Sequence, residues 1–188
     1  MIIPILMYHS IGSSKNNLTV SIDNFERQMS FMKRNNYKSI SFKNLNNLNY
    51  NYKYFIITFD DGYEDVYDNA LPIMKKFGFH GICYFVTGLI GGHNIWDKNL
   101  QDYNELKLMN IEKLREEIAA DEGEVHEIYL DHLGLPTFGI GHLVRDDDPE
   151  SGLPVGTSID NDRVVEAFES DIKTVLSDCN TLYPDFDD

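Results

Sequence analysis

The first residues whose types and spacing could do chemistry are two adjacent carboxylates. Asp60 and Asp61 follow the apolar run YFIITF and precede Gly62. One carboxylate of such a pair can bind a divalent cation while the other acts as a general base in hydrolysis. An Asp-Asp-Gly sequence is also typical of a simple turn, so the chemistry depends on the elements that place the pair.

A second group of polar residues lies about sixty positions further along the chain. Glu122 is followed by Asp131 nine residues later and by Thr137 six residues after that. Two carboxylates on either side of a cleft are the minimum for glycoside hydrolysis, in which one protonates the leaving oxygen and the other supports the attacking water. The same residue types are also common as solvated surface acids.

The elements around the first group read as parallel βα units. The run IIPILMYH predicts a strand buried on both faces, and YFIITF and GICYFVTG predict two further strands. Ser21 predicts the N-cap of a helix ending near Asn36, and a second helix is predicted from about Tyr63 to Phe77, with Gly78 as its terminator. Pro72 predicts a break inside that second helix. This order places Asp60 and Asp61 at the carboxyl end of a buried strand, where α/β folds expose catalytic residues.

The elements around the second group are of a different kind. The segment NIEKLREEIAADEG predicts an amphipathic helix that ends at Gly123. The segment HEIYLDHLGLPTFGIGHLV predicts a small antiparallel ribbon with Gly and Pro turns, and SIDNDRVVEAFESDIKTVLSDC predicts a capped helix. The expected fold class is therefore mixed, with a partial α/β region followed by an α+β lobe.

The charge of the chain changes sign near residue 109. Residues 1–109 hold 11 basic and 10 acidic residues, whereas residues 110–188 hold 5 and 21, within a total charge of −15. This asymmetry predicts a domain boundary, and the acidic half argues against nucleic acid and anionic membranes as partners. No apolar run is long enough to span a bilayer and no signal peptide is recognised, so we expect a cytoplasmic protein.

The first region resembles the polysaccharide deacetylases, in the segments ILMYHSIG, FERQMSFMKRNNYKSIS and TFDDGYEDVYDNALPIMKKFGFHGICYFVTG. The resemblance covers about residues 3–108. It implies part of a β/α barrel that removes acetyl groups from N-acetylated sugars with a zinc-like divalent metal. By this resemblance Asp60 is the general base and Asp61 is a metal ligand.

The histidines depart from the deacetylase pattern. The family's other two metal ligands come from a His-Ser/Thr-x-x-His motif, and no two of the six histidines here are four residues apart. Metal binding by Asp61 alone is expected to be weak, which predicts little or no deacetylase activity. His9, in YHSIG, is interpreted as a hydrogen-bonding residue at a strand end.

The second region resembles the phage-type lysozymes in REEIAADEGEVHEIYLDHLGLPTFGIGHLV. The resemblance runs from about residue 109 to residue 188. It implies that Glu122 is the general acid, that Asp131 holds the water or stabilises the cation, and that Thr137 positions the water. His142 would support the site from behind, or would instead be a structural partner of the helix end. No cofactor is implied, and the substrate would be peptidoglycan.

These observations predict a composite of two truncated domains, a deacetylase-like region at 1–108 and a lysozyme-like α+β region at 109–188. The leading functional hypothesis is a peptidoglycan glycoside hydrolase of the lysozyme type, acting between N-acetylmuramic acid and N-acetylglucosamine and impaired by a missing lobe. The first alternative is a metal-dependent polysaccharide N-deacetylase. The second is a catalytically inactive composite or glycan-binding protein. All three concern N-acetylated polysaccharides.

Overall fold

A computed structural model describes residues 2–14, 17–99 and 103–182. The chain divides into two compact units, residues 1–110 and residues 111–188. Within the described residues, none of the helices has the length and apolar character required to cross a membrane. Residues 183–188 lie outside the described residues.

The first unit is built on a parallel sheet whose central strand precedes Asp60. Its strands are β1 (Ile5–Tyr8), β4 (Tyr37–Ser39), β5 (Lys53–Phe59) and β6 (Ile82–Cys83). The strand β5 pairs with β1 on one side, and with β4 and then β6 on the other, and every pairing is parallel. Six of the seven residues of β5 are buried, as expected for a strand with neighbours on both edges. The prediction of a parallel α/β region is therefore confirmed.

Two helices cover one face of this sheet. Helix α1 (Ile22–Arg34) begins at Ser21, whose hydroxyl accepts a hydrogen bond from the Asn24 amide at 3.3 Å, as predicted for the N-cap. A π-helical turn (Val66–Ala70) leads directly into α2 (Leu71–Phe77), which ends at the left-handed Gly78. The predicted break at Pro72 takes the form of this π turn, because proline has no N–H to continue the helical ladder and its ring crowds the carbonyl four residues earlier.

The core of the first unit lies between the helices and the sheet. Phe25, Phe55 and Phe59 are all at most 1% exposed, and the Tyr8 ring stands edge-on to Phe25 with centroids 5.1 Å apart. Burial of each such ring stabilises the fold by about 1.5–3 kcal/mol. A short parallel pair, β2 (Ser10–Ile11) and β3 (Thr19–Val20), follows β1 directly. The segments that bear Asp60 therefore rest on a packed aromatic core.

The second unit is a small α+β arrangement. It contains α3 (Ile111–Glu122) and then an antiparallel sheet of β7 (Val125–Leu130), β8 (Pro136–Gly139) and β9 (His142–Leu143). Helix α4 (Asn161–Leu182) packs on β8, and the added Cβ of any residue replacing Gly139 would lie 3.1 Å from Val164 Cγ1. The core residues are Ile128, Phe138, Ile159, Val164 and Ala167. The predicted ribbon and its two flanking helices are present.

Candidate functional site

The chain turns sharply where β5 ends, and this turn carries the two adjacent carboxylates. The Asp60 amide donates to the Tyr8 carbonyl at 2.9 Å, which extends the β1–β5 ladder by one residue. Asp61 and Gly62 then both adopt left-handed backbone conformations, with φ of 70° and 69°. Aspartate tolerates this region better than most residues, and glycine tolerates it freely. A Cβ on Gly62 would lie 2.5 Å from the Phe85 ring, so this position also requires glycine for space.

His9 lies beside Asp60 because their strands are parallel neighbours. His9 follows β1 as Asp60 follows β5, and Tyr8 and Phe59 are paired immediately before them. The His9 Nε2 atom is 3.9 Å from Asp60 Oδ2, and the two side chains are 21% and 33% exposed. A carboxylate and an imidazole are thus brought together at an accessible strand end. This arrangement can both accept and donate a proton.

Asp61 is partly buried at the same turn. Burial raises its pKa, the charge of His9 opposes that rise, and the negative charges of Asp60 and Asp97 add to it. No hydrogen bond reaches the Asp61 carboxylate from the residues that the structure describes. The position of the Asp61 carboxylate is therefore set by the backbone turn and not by hydrogen-bond donors from other described residues.

Asp65, one helical turn further on, ties this turn to the segment after β1. Its carboxylate accepts from the Ser10 hydroxyl at 2.5 Å and from the Ile11 amide at 3.2 Å. Burial raises the Asp65 pKa, although those two hydrogen bonds act in the opposite direction. Because Ser10 adjoins His9, the Asp65 contacts fix the segment from which the His9 side chain projects.

The loop before residue 110 passes along the residues that follow Asp61. The Met109 amide donates to the Gly62 carbonyl and the Glu64 amide donates to the Lys107 carbonyl, each at 2.9 Å. Within this loop the fully buried Asn94 donates to Asp97 Oδ2 at 3.1 Å. Asp97 is itself only 8% exposed. The loop thus adds a buried carboxylate whose charge acts on Asp61.

Cys83 ends β6, next to the end of β5. Burial raises the pKa of its thiol to about 12, and the charges of Asp60 and Asp61 contribute to the rise. Burial and these charges therefore disfavour the thiolate form of Cys83.

The described residues do not fit a resident divalent metal ion. No three His, Cys, Asp or Glu side chains among them converge in a way that could hold one. His80, the nearest histidine after Asp61 in sequence, contacts the Ser39 hydroxyl through Nδ1 at 3.2 Å, and His93 lies 3.7 Å from Glu105. Asp61, the predicted metal ligand, is thus without the partners that a stable site needs.

The second predicted group has mainly local contacts in the second unit. Glu122 is the last residue of α3 and is exposed. Asp131 Oδ1 accepts from the Leu133 and Leu135 amides, both at 2.8 Å, and these bonds lower the Asp131 pKa. The buried Thr137 hydroxyl donates to the Leu135 carbonyl at 3.1 Å. Asp131 and Thr137 therefore both stabilise the turn between β7 and β8.

His142 is the centre of a polar network, in line with its interpretation as a structural residue, although sequence reasoning did not predict its partners. Only 3% of its side chain is exposed, and its Nδ1 and Nε2 atoms lie 2.8 Å from Asp171 and 3.1 Å from Asp148. Arg163 bonds to Asp148 and, through two nitrogens, to Glu150 at 2.9 Å. Such a network joins α4 to the loop after β9 and has a structural role.

Sequence reasoning also missed the contribution of His9 to the first site. A usable signal was present, because YHSIG and TFDDG each follow an apolar run, and parallel strands bring their carboxyl ends to one edge of a sheet. The sequence carried no comparable signal that would place Asp65, Asn94 and Asp97 near this site. Their positions depend on the course of loops.

Comparison with protein families gives one match, to the family described as polysaccharide deacetylase, over residues 47–132. The match spans somewhat less than half of the chain. It begins before β5 and includes Asp60 and Asp61. It also runs through α3 and β7, and so contains Glu122 and Asp131.

The similar curated proteins are deacetylases as well. A Bacillus subtilis protein, YxkH, classed by its name with the polysaccharide deacetylases, is 35% identical over 106 residues, which cover 53% of this chain and 38% of that protein. The poly-β-1,6-N-acetyl-D-glucosamine N-deacetylase of Staphylococcus aureus is 30% identical over 110 residues, covering 55% and 37%. The chain thus spans somewhat more than a third of the length of the curated relatives it matches.

Solved structures show the same type of fold. IcaB from Ammonifex degensii has a TM-score of 0.53 at 19% identity, covering 70% of this chain and 56% of that one. A de-N-acetylase from Aggregatibacter actinomycetemcomitans has a TM-score of 0.51 at 14% identity, covering 86% and 67%. At these identities the likeness concerns the fold alone, which is deacetylase-type and partial.

These findings correct the leading functional hypothesis. The family match and the similar proteins all point to a carbohydrate deacetylase, and none supports a lysozyme-type glycoside hydrolase or a lysozyme component. The resemblance to phage lysozymes rested on short motifs, and two residues of the predicted trio have turn-forming contacts. The comparisons support a polysaccharide deacetylase domain in this chain, matched over part of its length.

Proposed function

We propose that the first unit removes N-acetyl groups from an amino-sugar polymer, with Asp60 as the general base. The observation that carries the proposal is the pairing of Asp60 with His9, 3.9 Å apart at neighbouring strand ends. Hydrolysis of an acetamide needs both a group that takes a proton and a group that gives one. These two side chains meet that need at an accessible edge of the sheet.

The reaction can be written with these two groups alone. The Asp60 carboxylate removes a proton from a water molecule as its oxygen attacks the acetyl carbonyl carbon. The carbon–nitrogen bond then breaks, and the protonated imidazole of His9 supplies a proton to the departing amine nitrogen. The products are acetic acid and a free amino sugar, and transfer of the proton from Asp60 back to His9 restores both groups, so atoms and charges balance. Polysaccharide deacetylases are typically metal-dependent, but the described residues do not fit a metal ion, so none of these steps involves one.

The names of the similar proteins support a proposal for the substrate class. The Staphylococcus aureus relative is named for poly-β-1,6-N-acetyl-D-glucosamine, a polymer that carries acetamido groups. The amide bonds of these groups are the bonds to be hydrolysed. For this chain the substrate is accordingly an N-acetylated polysaccharide, and a β-1,6-linked N-acetylglucosamine oligomer is the first one to test.

The test is acetate release from that oligomer by the full chain and by three variants. Asp60→Asn removes the base and should lower the rate at least about a hundredfold, the usual contribution of general base catalysis. His9→Gln should lower it less strongly. Asp23→Asn, an exposed acid at the start of α1, serves as a control and should leave the rate unchanged.

The assay is repeated with added Zn²⁺ and with a chelator. Acetate release that is the same in Asp60→Asn and in the unsubstituted chain would refute the role of Asp60. Release that requires Zn²⁺ would instead assign Asp61 as a metal ligand, with the other ligands still to be found.

A further inference from the structure

Tyr63 has a buried hydroxyl group without a partner. The side chain is 1% exposed, and its hydroxyl makes no hydrogen bond within 3.5 Å to any of the residues that the structure describes. The neighbouring Asn94 cannot supply the missing acceptor readily, because its Nδ2 hydrogens go to Asp97 and Asn104 and its Oδ1 accepts from the Leu106 amide. Buried hydroxyl groups in folded proteins are nearly always bonded, so an exception of this kind calls for an explanation.

An unpaired acceptor stands two residues away. The Asp61 carboxylate receives no hydrogen bond from the described residues, and its charge acts on the Tyr63 phenol more strongly than that of Asp97 or Asp65. The donor residue Tyr63 and the acceptor residue Asp61 flank Gly62, and both belong to the turn that positions Asp60. The backbone on each side is fixed, by the left-handed turn before Tyr63 and by the pairing of Tyr63 with Leu108 after it.

We infer that Tyr63 is a positioning residue whose hydroxyl donates to the Asp61 carboxylate when a glycan occupies the site. The inference rests on the proposed function, because the turn at Asp61 and Tyr63 is where that function operates. A hydrogen bond to a charged group is stronger than one between neutral groups. Its formation on binding would set the orientation of Asp61 beside Asp60.

The experiment compares Tyr63→Phe with Tyr54→Phe. Tyr54 is also buried, at 8% exposure, but its phenol oxygen accepts from the Asn49 amide at 3.2 Å, and it lies at the opposite end of β5. Tyr63→Phe removes an unpaired hydroxyl and should leave the urea midpoint unchanged or higher, yet lower kcat about tenfold with KM unchanged. Tyr54→Phe should lower the midpoint and leave both kinetic constants unchanged.

A second readout does not depend on turnover. Addition of a β-1,6-linked N-acetylglucosamine oligomer should produce a tyrosine difference spectrum in the unsubstituted chain that is absent from Tyr63→Phe. If acetate release fails but the spectrum appears, the proposed function is wrong and the role of Tyr63 stands. If Tyr63→Phe retains the kcat and the spectrum of the unsubstituted chain, the role of Tyr63 is wrong. If the unsubstituted chain shows neither release nor spectrum, both are wrong.

Discussion

The tight turn after β5 predicts a large loss of stability in Gly62→Ala. Two effects add at this position. An alanine at φ of 69° costs about 1–2 kcal/mol of backbone strain. Its Cβ would also lie 2.5 Å from the Phe85 Cδ1 atom, and relief of such an overlap costs about 1–3 kcal/mol. We therefore expect the free energy of unfolding of the first unit to fall by about 2–5 kcal/mol.

Gly78→Ala is the matched control. Gly78 has the same φ of 69° and belongs to the same unit, but the nearest atom to an added Cβ is Lys33 Nζ at 3.7 Å. This substitution should cost only the backbone strain, the same about 1–2 kcal/mol as at Gly62. The difference between the two variants isolates the contact with Phe85.

Urea unfolding followed by Trp96 fluorescence measures both variants, because Trp96 is the single tryptophan of the chain and belongs to the first unit. Equal losses in Gly62→Ala and Gly78→Ala would show that the Phe85 ring does not press on the turn. The account of how the turn is fixed would then be wrong.

Two further predictions concern the charged groups of the two units. Burial raises the folded-state pKa of Asp61 above its usual value of 3.8. The folded unit therefore binds the Asp61 carboxyl proton more tightly than the unfolded chain does. For this reason stability is lost as pH rises through the folded pKa. Asp61→Asn, which suits the left-handed backbone, should therefore be more stable than the unsubstituted chain at neutral pH. The gain in stability should disappear near about pH 3. Urea unfolding followed by Trp96 fluorescence measures the stability at neutral pH and at the acidic pH. A gain of the same size at the two pH values would contradict the pKa shift. In the second unit, His142→Ala leaves Asp148 and Asp171 without their shared partner and should lower the free energy of unfolding by about 2 kcal/mol or more, measured by circular dichroism. The control Lys173→Ala, which breaks an exposed ion pair with Glu169, should change the free energy of unfolding by less than about 0.5 kcal/mol. Equal effects of His142→Ala and Lys173→Ala would rule out a stabilising role for the network around His142.

Local sequence signals were sufficient for the elements and for the first carboxylate pair. The apolar run before Asp60, the cap at Ser21 and the terminator at Gly78 act over a few residues, and the structure has all three features where they were predicted. The strand predicted for GICYFVTG is much shorter, only Ile82–Cys83. The length of this strand depends on how many of its residues can pair with β5. Sequence periodicity does not predict that number.

The interactions that cross between segments could not be predicted in the same way. His9 and Asp60 are 51 positions apart, and their contact depends on the register of β1 with β5. The bonds of His142 to Asp148 and Asp171 depend on how α4 packs against β8 and β9. The lysozyme interpretation erred because a resemblance in short motifs assigned catalytic roles to Asp131 and Thr137, whose contacts are those of a turn.

Mass spectrometry of a β-1,6-linked N-acetylglucosamine oligomer of defined length tests the central claim most directly. After incubation with the chain, the account predicts oligomers of unchanged length that have lost one or more acetyl groups, and no such products with Asp60→Asn. Shortened oligomers that keep every acetyl group, or an oligomer that is unchanged under all conditions, would contradict it.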